Sequence, residues 1–432
     1  MTPLMIGLIG LIVLFILIAI RIPIAFAMFL VGFGGLALTG NLSRAISMAG
    51  STAYHSIGNW MYLVIPMFIL MGEFAGASKL ISDLFNTFKV WFGKVRGSLS
   101  IVTVFTSMIF SFATGSTLAA TAVIGKVALP EMSQAGYNKR ISLSSVLGGG
   151  TLGNMIPPSI GLTLFGILTE VSIGKLLIAG IIPGITVTTL LILLIAFWIL
   201  RDKNAAPATA AKSSWREKFR SLKGTIWMLL LLYVVLGGIY SGFVTTTEAA
   251  SVGAFGAFLI GIFLRRLNLK KIRECLTNTM SLTAVIFFLL FSVALFTRFL
   301  ALTGFTSQLV RLVTSSGLSP AMTLFFITIV FMIMGMIMDA TSMMLLLVPV
   351  TFPIMTALGF DPIWYGVYAV AMVQVGMITP PVGMAVYVLQ GVSGEPLQDC
   401  FKAALSVLAV WAIAIALLII FPNIALWLPN SM

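Results

Sequence analysis

The chain has 432 residues, of which 59% are hydrophobic and only 9% charged, with a net charge of +13. A soluble domain needs about 25% charged residues to cover its surface, so this composition excludes a water-facing globule and describes a polytopic membrane protein set in a lipid bilayer. Two cysteines, Cys275 and Cys400, are too few for a disulfide framework or a metal cage. The Lys and Arg residues lie in short loops between apolar runs, the signature of basic cytoplasmic loops and not of a nucleic-acid partner.

Apolar runs at 4–20, 24–39 and 57–77 open the chain, and the first is a spanning helix, since it lacks the basic start and cleavage site of a signal peptide. The segment at 80–97 mixes Lys79, Asp83, Lys89, Lys94 and Arg96 with Phe, Leu and Trp. It reads either as an interfacial amphipathic helix or as the charged cap of a spanning one. Further runs fall at 98–113, 140–156, 159–180 and 181–200. Residues 201–224 then carry seven basic residues against Asp202 and Glu217, and their Ala/Pro/Ser-rich part at 205–214 reads as a flexible linker. Runs at 225–241 and 249–264 lead to a second basic cluster, Arg265, Arg266, Lys270, Lys271 and Arg273. Two crossings return the chain to its starting side, so both clusters are expected on the cytoplasmic face. The last runs are 276–302, 319–338, 362–379, 382–392 and 402–422, about a dozen helical segments in all.

The chain repeats itself at an offset of 223 residues. LPEMSQAGYNKR (129–140) and GNMIPPS (153–159) align without a gap with FPIMTALGFDPI (352–363) and GMITPPV (376–382). Pro130 meets Pro353, Gly136 meets Gly359, Gly153 meets Gly376, and the pair Pro157-Pro158 meets Pro380-Pro381. Consecutive prolines interrupt a helix, and a broken helix in a membrane is tolerated only inside protein or beside a water-filled cavity. The carbonyls it frees, with nearby Thr or Ser hydroxyls, are hard oxygen ligands suited to Na⁺. Paired interruptions in related halves point to a transporter binding site, whereas a single proline kink would be mere packing.

Upstream of each break lies a polar, small-residue stretch, SFATGSTLAATA (111–122) and GMIMDATSMM (335–344), which places Ser116 opposite Asp339. Each stretch continues to a proline and a Gly turn, at Gly136 and Gly359, and a span of ~20 residues containing such a turn has the length of a re-entrant hairpin. An intramembrane carboxylate such as Asp339 faces a cation or a polar substrate, or else it caps a helix start at Ser342 or Met343. Glu73, Glu170 and Glu248 suit helix ends, and His55, the sole histidine, suits a surface.

These motifs resemble the tripartite ATP-independent periplasmic (TRAP) transporters, specifically their large, DctM-type membrane subunit. The likeness covers essentially the whole chain, through RIPIAFAMFLVG (21–32), IPMFILMGE (65–73), VSIGKLLIAGIIPG (171–184), LVPVTFPI (347–354) and GMITPPVGMAVYV (376–388). It implies an all-α elevator-type transporter built from two inverted repeats with re-entrant hairpins and broken helices, in the bacterial inner membrane. Scaffold helices and an amphipathic arm would fall at 1–97, a transport-domain segment with hairpin 1 at 98–184, and central scaffold helices and loops at 185–275. Scaffold and arm helices at 276–318, a second transport segment with hairpin 2 at 319–400 and a C-terminal helix at 401–432 would follow. The resemblance further implies a small four-helix membrane subunit as a separate chain, since this one begins directly with large-subunit sequence. A periplasmic substrate-binding protein would deliver a small organic anion, a carboxylate or sulfonate.

Carried over by position, one Na⁺ site would use Ser111, Thr114, Gly153, Ile156 and Pro158, and the other Gly335, Met338, Gly376, Thr379 and Val382. Ser116, Asp339, Pro157 and Ser159 would line the substrate cavity. Two other readings stand beside this one: a binding-protein-independent carboxylate/Na⁺ symporter, and an ion-translocating subunit of a membrane complex. The second needs several charges inside the spans, where the chain offers Asp339 and little else. No nucleophile–base pair, metal cluster or phosphate loop suggests an enzyme.

Overall fold

The computed structural model describes residues 3–93, 95–202, 205–207 and 214–431. Among the described residues the structure is helical, with no strand. The first half runs α1 (Pro3–Ala19), α2 (Ile24–Thr39), α3 (Leu42–Gly58), α4 (Val64–Ala77), α5 (Leu80–Phe92), α6 (Ser98–Thr114), α7 (Thr117–Gln134), α8 (Lys139–Thr151), α9 (Ile160–Thr169), α10 (Ile173–Ala179) and α11 (Ile181–Arg201). The second runs α12 (Trp215–Tyr240), α13 (Thr246–Phe263), α14 (Leu269–Leu302), α15 (Phe305–Ser315), α16 (Pro320–Gly335), α17 (Ala340–Ala357), α18 (Pro362–Ile378), α19 (Met384–Ser393), α20 (Leu397–Ile420) and α21 (Asn423–Leu426). Seven helices among the described residues are long and apolar enough to cross a membrane.

The 223-residue offset extends well beyond the motifs. Adding 223 to the bounds of α7, 117 and 134, gives 340 and 357, the bounds of α17. The start of α8, 139, becomes 362, the start of α18, and α2 at 24–39 becomes 247–262 against α13 at 246–263. Packing follows the same correspondence. α2 lies against α14 while α13 lies against α4, and α7 lies against α19 while α17 lies against α9. Since α14 is the counterpart of α3 and α4, each half lends the same helices to the same partners in the other. Such reciprocal exchange is what a pseudo-two-fold relation between halves produces.

Several segments differ from the sequence reading. α3 and α15 carry polar residues around a narrow apolar stripe, and the hydropathy of the sequence alone hid both. The run at 159–180 is two helices, because Glu170 turns the chain in the left-handed conformation at the end of α9. α5 is amphipathic: Leu80, Ile81, Leu84 and Phe85 are buried, while Asp83 reaches out to pair with Arg266. Of the expected flexible linker, residues 205–207 are described and are held in place. Ala205 and Ala206 are buried, and their carbonyls accept the backbone N–H groups of Asn138 at 2.8 Å and Gly97 at 3.2 Å. Residues 208–213 of that linker lie outside the described residues.

The two basic clusters do share one end of the molecule, because α5 touches both. Its Thr87 hydroxyl donates to the Ser221 carbonyl at 2.8 Å, and its Asp83 binds Arg266.

Candidate substrate and ion site

The interruptions build the site. α6 ends at Thr114, Gly115 turns the chain at φ +55°, and Ser116 caps α7 by accepting the Ala119 N–H. In the second half, Asp339 caps α17. Its carboxylate accepts the N–H groups of Thr341 at 3.0 Å and Ser342 at 3.4 Å, and its other oxygen accepts the Ser342 hydroxyl. The capping alternative read from the sequence is thus realised, with the negative charge on the positive end of a helix dipole.

Between α8 and α9 the chain passes through a 3-10 turn and the cis peptide Pro157-Pro158, and between α18 and α19 through the cis peptide Pro380-Pro381. Proline has no N–H to donate, so the carbonyls of Gly153 and Asn154 lose their usual partners four residues on. The Asn154 carbonyl accepts the Ser159 hydroxyl instead, and its side-chain oxygen accepts the Gly161 N–H at 2.9 Å. At the second break the Thr379 N–H donates to the Gly376 carbonyl at 3.1 Å and its hydroxyl donates to the Val375 carbonyl at 2.6 Å. That donation leaves the lone pairs of the Thr379 oxygen available.

Each hairpin end meets the break of its own half at glycine. A methyl on Gly153 would sit 2.7 Å from the Ser116 carbonyl oxygen, and one on Gly115 2.9 Å from that of Pro158. A methyl on Gly335 would sit 2.4 Å from the Gly376 Cα. Ser111 is buried, its hydroxyl donating to the Ser107 carbonyl at 2.7 Å and its own carbonyl accepting the Gly115 N–H. Met338 is buried and Val382 half-buried, and the Ile156 side chain packs toward Gly184. The side chain of Thr114 lies outside the described residues. The oxygens at the breaks are carbonyls and hydroxyls. Among the described residues no three His, Cys, Asp or Glu side chains group as a transition metal would need.

The starts of α7, α9 and α17 converge on a pocket of about 70 Å³ lined by Gly115, Ser116, Thr117, Asn154, Gly161, Asp339, Thr341 and Met377. Helix N-termini present N–H groups and positive potential, which favour an anion. The pocket shares Ser116, Leu118, Ile160, Asp339 and Thr341 with a cleft of about 1190 Å³. The far wall of that cleft comes from the turn at Arg21, from Glu73 on α4, and from Lys271, Glu274 and Asn278 on α14. Pro157 and Ser159 line neither space, and Ser159 is fully buried, its oxygen capping Leu162 at 3.1 Å.

Comparison with known proteins shows the family. The family model described as the tripartite ATP-independent periplasmic transporter, DctM component, matches residues 11–424. The chain belongs to this family. Similar relatives include the C4-dicarboxylate TRAP transporter large permease protein DctM of Pseudomonas aeruginosa, 34% identical over 90% of this chain and 89% of that one. The sialic acid TRAP transporter large permease protein SiaM of Vibrio cholerae is 31% identical over 94% and 95% of the two chains. The ectoine TRAP transporter large permease protein TeaC of Halomonas elongata is 30% identical over 94% of each. Among solved structures, the YdaH transporter of Alcanivorax borkumensis shares the fold at a TM-score of 0.66, with 18% identity over 93% of this chain and 98% of that one. The chain is therefore a large permease of the TRAP type, a multi-pass protein of the bacterial inner membrane, and a transporter in place of an enzyme.

In this TRAP permease the structure adds residues that the sequence reading passed over. Thr117, the first residue of α7, donates its hydroxyl to the side-chain oxygen of Gln374 on α18 at 2.5 Å, tying hairpin 1 to the second break across 257 residues. Gln374 is fully buried, and among the described residues its amide nitrogen has no partner. A single amide inside an apolar run was the available signal. Glu73, read as a helix-end residue, lines the cleft and accepts the Asn278 amide at 3.1 Å.

Proposed function

We propose that this permease imports a small organic anion, a carboxylate or sulfonate, by symport with Na⁺. The observation that carries the reading is the convergence of three helix starts on one pocket, flanked by two oxygen-rich breaks in related halves. The anion's charged group sits at the start of α7, on the N–H groups that Ser116 leaves uncapped and beside the Ser116 hydroxyl, while Asp339 already occupies the start of α17. Ser111, Thr114, Gly153, Ile156 and Pro158 hold one Na⁺, and Gly335, Met338, Gly376, Thr379 and Val382 the other. The bound cations offset the negative charge of the substrate and of Asp339 in a low-dielectric setting, so that anion and Na⁺ each favour the other's binding.

The two halves are inverted repeats. α6–α10 and α16–α19 form the moving body, α1–α4 and α11–α14 the scaffold, the amphipathic α5 and α15 the arms between them, as an elevator requires, and α20 is the C-terminal helix. The basic clusters mark the cytoplasmic end, and Lys271, from the second of them, lines the cleft, which supports an inward-facing reading. A small four-helix membrane subunit joins the scaffold, and a periplasmic binding protein supplies the anion. The binding-protein-independent symporter and the ion-translocating subunit give opposite results in one experiment. Proteoliposomes holding the permease and its small subunit are supplied with loaded binding protein in Na⁺ or choline buffer. Uptake is expected only with Na⁺ and with all three proteins present. Uptake by the lone permease, or equal uptake in choline, sinks the proposal.

A further inference from the structure

The first turns of α12 carry two stripes that transport itself does not use. Arg216, Arg220 and Lys223 recur at i, i+4 and i+7, one helix face, and all three are exposed. Trp215, Phe219 and Ile226 form the adjoining stripe and are 70%, 62% and 59% exposed. Lys218 lies in an aromatic cluster, its Nζ 5.1 Å from the Trp215 ring and 5.6 Å from the Trp91 ring of α5. Phe219 closes the cluster, stacked on Trp215 and edge-on to Trp91. Glu217, the acid in this stretch, is engaged in a capping box with Ser214. Among the described residues, Arg216, Arg220 and Lys223 form no ion pair.

A water-facing helix would not expose Trp215, Phe219 and Ile226 together, and a purely lipid-facing one would not carry three unpaired cations. The two stripes side by side match the headgroup level of a bilayer, where rings meet acyl chains and cations meet phosphates. We propose that this face binds an anionic phospholipid, its phosphate on Arg216, Arg220 and Lys223 and its chains against Trp215, Phe219 and Ile226. The site adjoins the seam between α12 and the arm α5. That seam is held by the Thr87 hydroxyl on the Ser221 carbonyl and by the Thr225 hydroxyl donating to Thr87 at 2.7 Å. α5 leads directly into α6, so on the elevator reading proposed above lipid at this seam bears on the arm that carries hairpin 1.

The test is thermal unfolding of the purified permease in detergent with phosphatidylglycerol, phosphatidylcholine or glycerol phosphate added. Three proteins are compared: wild type, Arg216→Gln/Arg220→Gln/Lys223→Gln, and Lys79→Gln as a basic residue outside the face. Phosphatidylglycerol is expected to raise the midpoint of wild type and of Lys79→Gln, and phosphatidylcholine to leave both unchanged. The triple variant needs ~100-fold more phosphatidylglycerol for the same rise, about five-fold per cation. Should the triple variant fail to fold, Arg220→Gln alone shows the five-fold shift. An unchanged lipid response in either variant overturns the proposal. An equal rise with glycerol phosphate does so too, by assigning the cations to a free phosphate. So does a triple variant that keeps its lipid response but loses a co-purifying membrane protein, which would make the face a protein interface.

Discussion

Gly376→Ala probes the contact on which the proposed second Na⁺ site depends. The added methyl would lie 2.6 Å from the Gly335 Cα and 3.2 Å from the Phe331 carbonyl oxygen. Carbon atoms pack at about 3.5 Å or more, so the end of hairpin 2 must retreat from the break by about 1 Å. Overpacking of this kind costs about 1–3 kcal/mol, here toward the upper end because backbone meets backbone and no side chain can swing away. Alanine in place of glycine inside α18 returns about 1 kcal/mol of helix propensity, for a net loss of about 2 kcal/mol. Gly391→Ala is the comparison, since it lies inside α19 with nothing within 4 Å of its added methyl, and propensity alone predicts a gain of about 1 kcal/mol. Thermal unfolding of the two variants should separate them in opposite directions from wild type. Na⁺ titration of uptake should show a raised Na⁺ requirement for Gly376→Ala alone. Equal midpoints and unchanged Na⁺ dependence in both variants would mean that the hairpin does not close on the break as described.

Thr379→Val keeps the side-chain volume and removes the second cluster's hydroxyl oxygen, so it should raise the Na⁺ requirement by about 1–3 kcal/mol of ion binding; Ile156→Val, at the matching position, should be nearly silent in the same uptake assay. Asp339→Asn keeps a side chain able to cap α17, so unfolding should barely move while uptake is abolished, and normal uptake would remove its charge from the mechanism. Thr117→Val strands the buried Gln374 oxygen and should cost about 1–3 kcal/mol. Adding Gln374→Leu should recover part of that loss in a double-mutant cycle of thermal midpoints, and strict additivity would deny the coupling.

The spans and breaks were legible because each rests on a one-dimensional signal, a run of apolar residues or a pair of prolines. The repeat was legible for the same reason, and Pro157-Pro158 with Pro380-Pro381 located both interruptions in the structure. α3 and α15 escaped because an interfacial helix spreads its few apolar residues over one face and never forms a run. Asp339 was legible as unusual, but its choice between cap and charge partner depends on where the Thr341 and Ser342 N–H groups point, which only the fold decides. The far wall of the cleft could not be read at all. Arg21, Glu73 and Lys271 come from three distant segments, and each alone suits an ordinary helix end.

In the proposed symport both breaks carry Na⁺ along with one anion. Paired fluxes of radiolabelled Na⁺ and substrate, measured in the same proteoliposomes with small subunit and loaded binding protein present, test it most directly. The predicted result is at least two Na⁺ entering per anion, with uptake speeded by an inside-negative potential at about 2.3 kcal/mol per net charge per 100 mV. Anion entry with no accompanying Na⁺, indifferent to the potential, would contradict it.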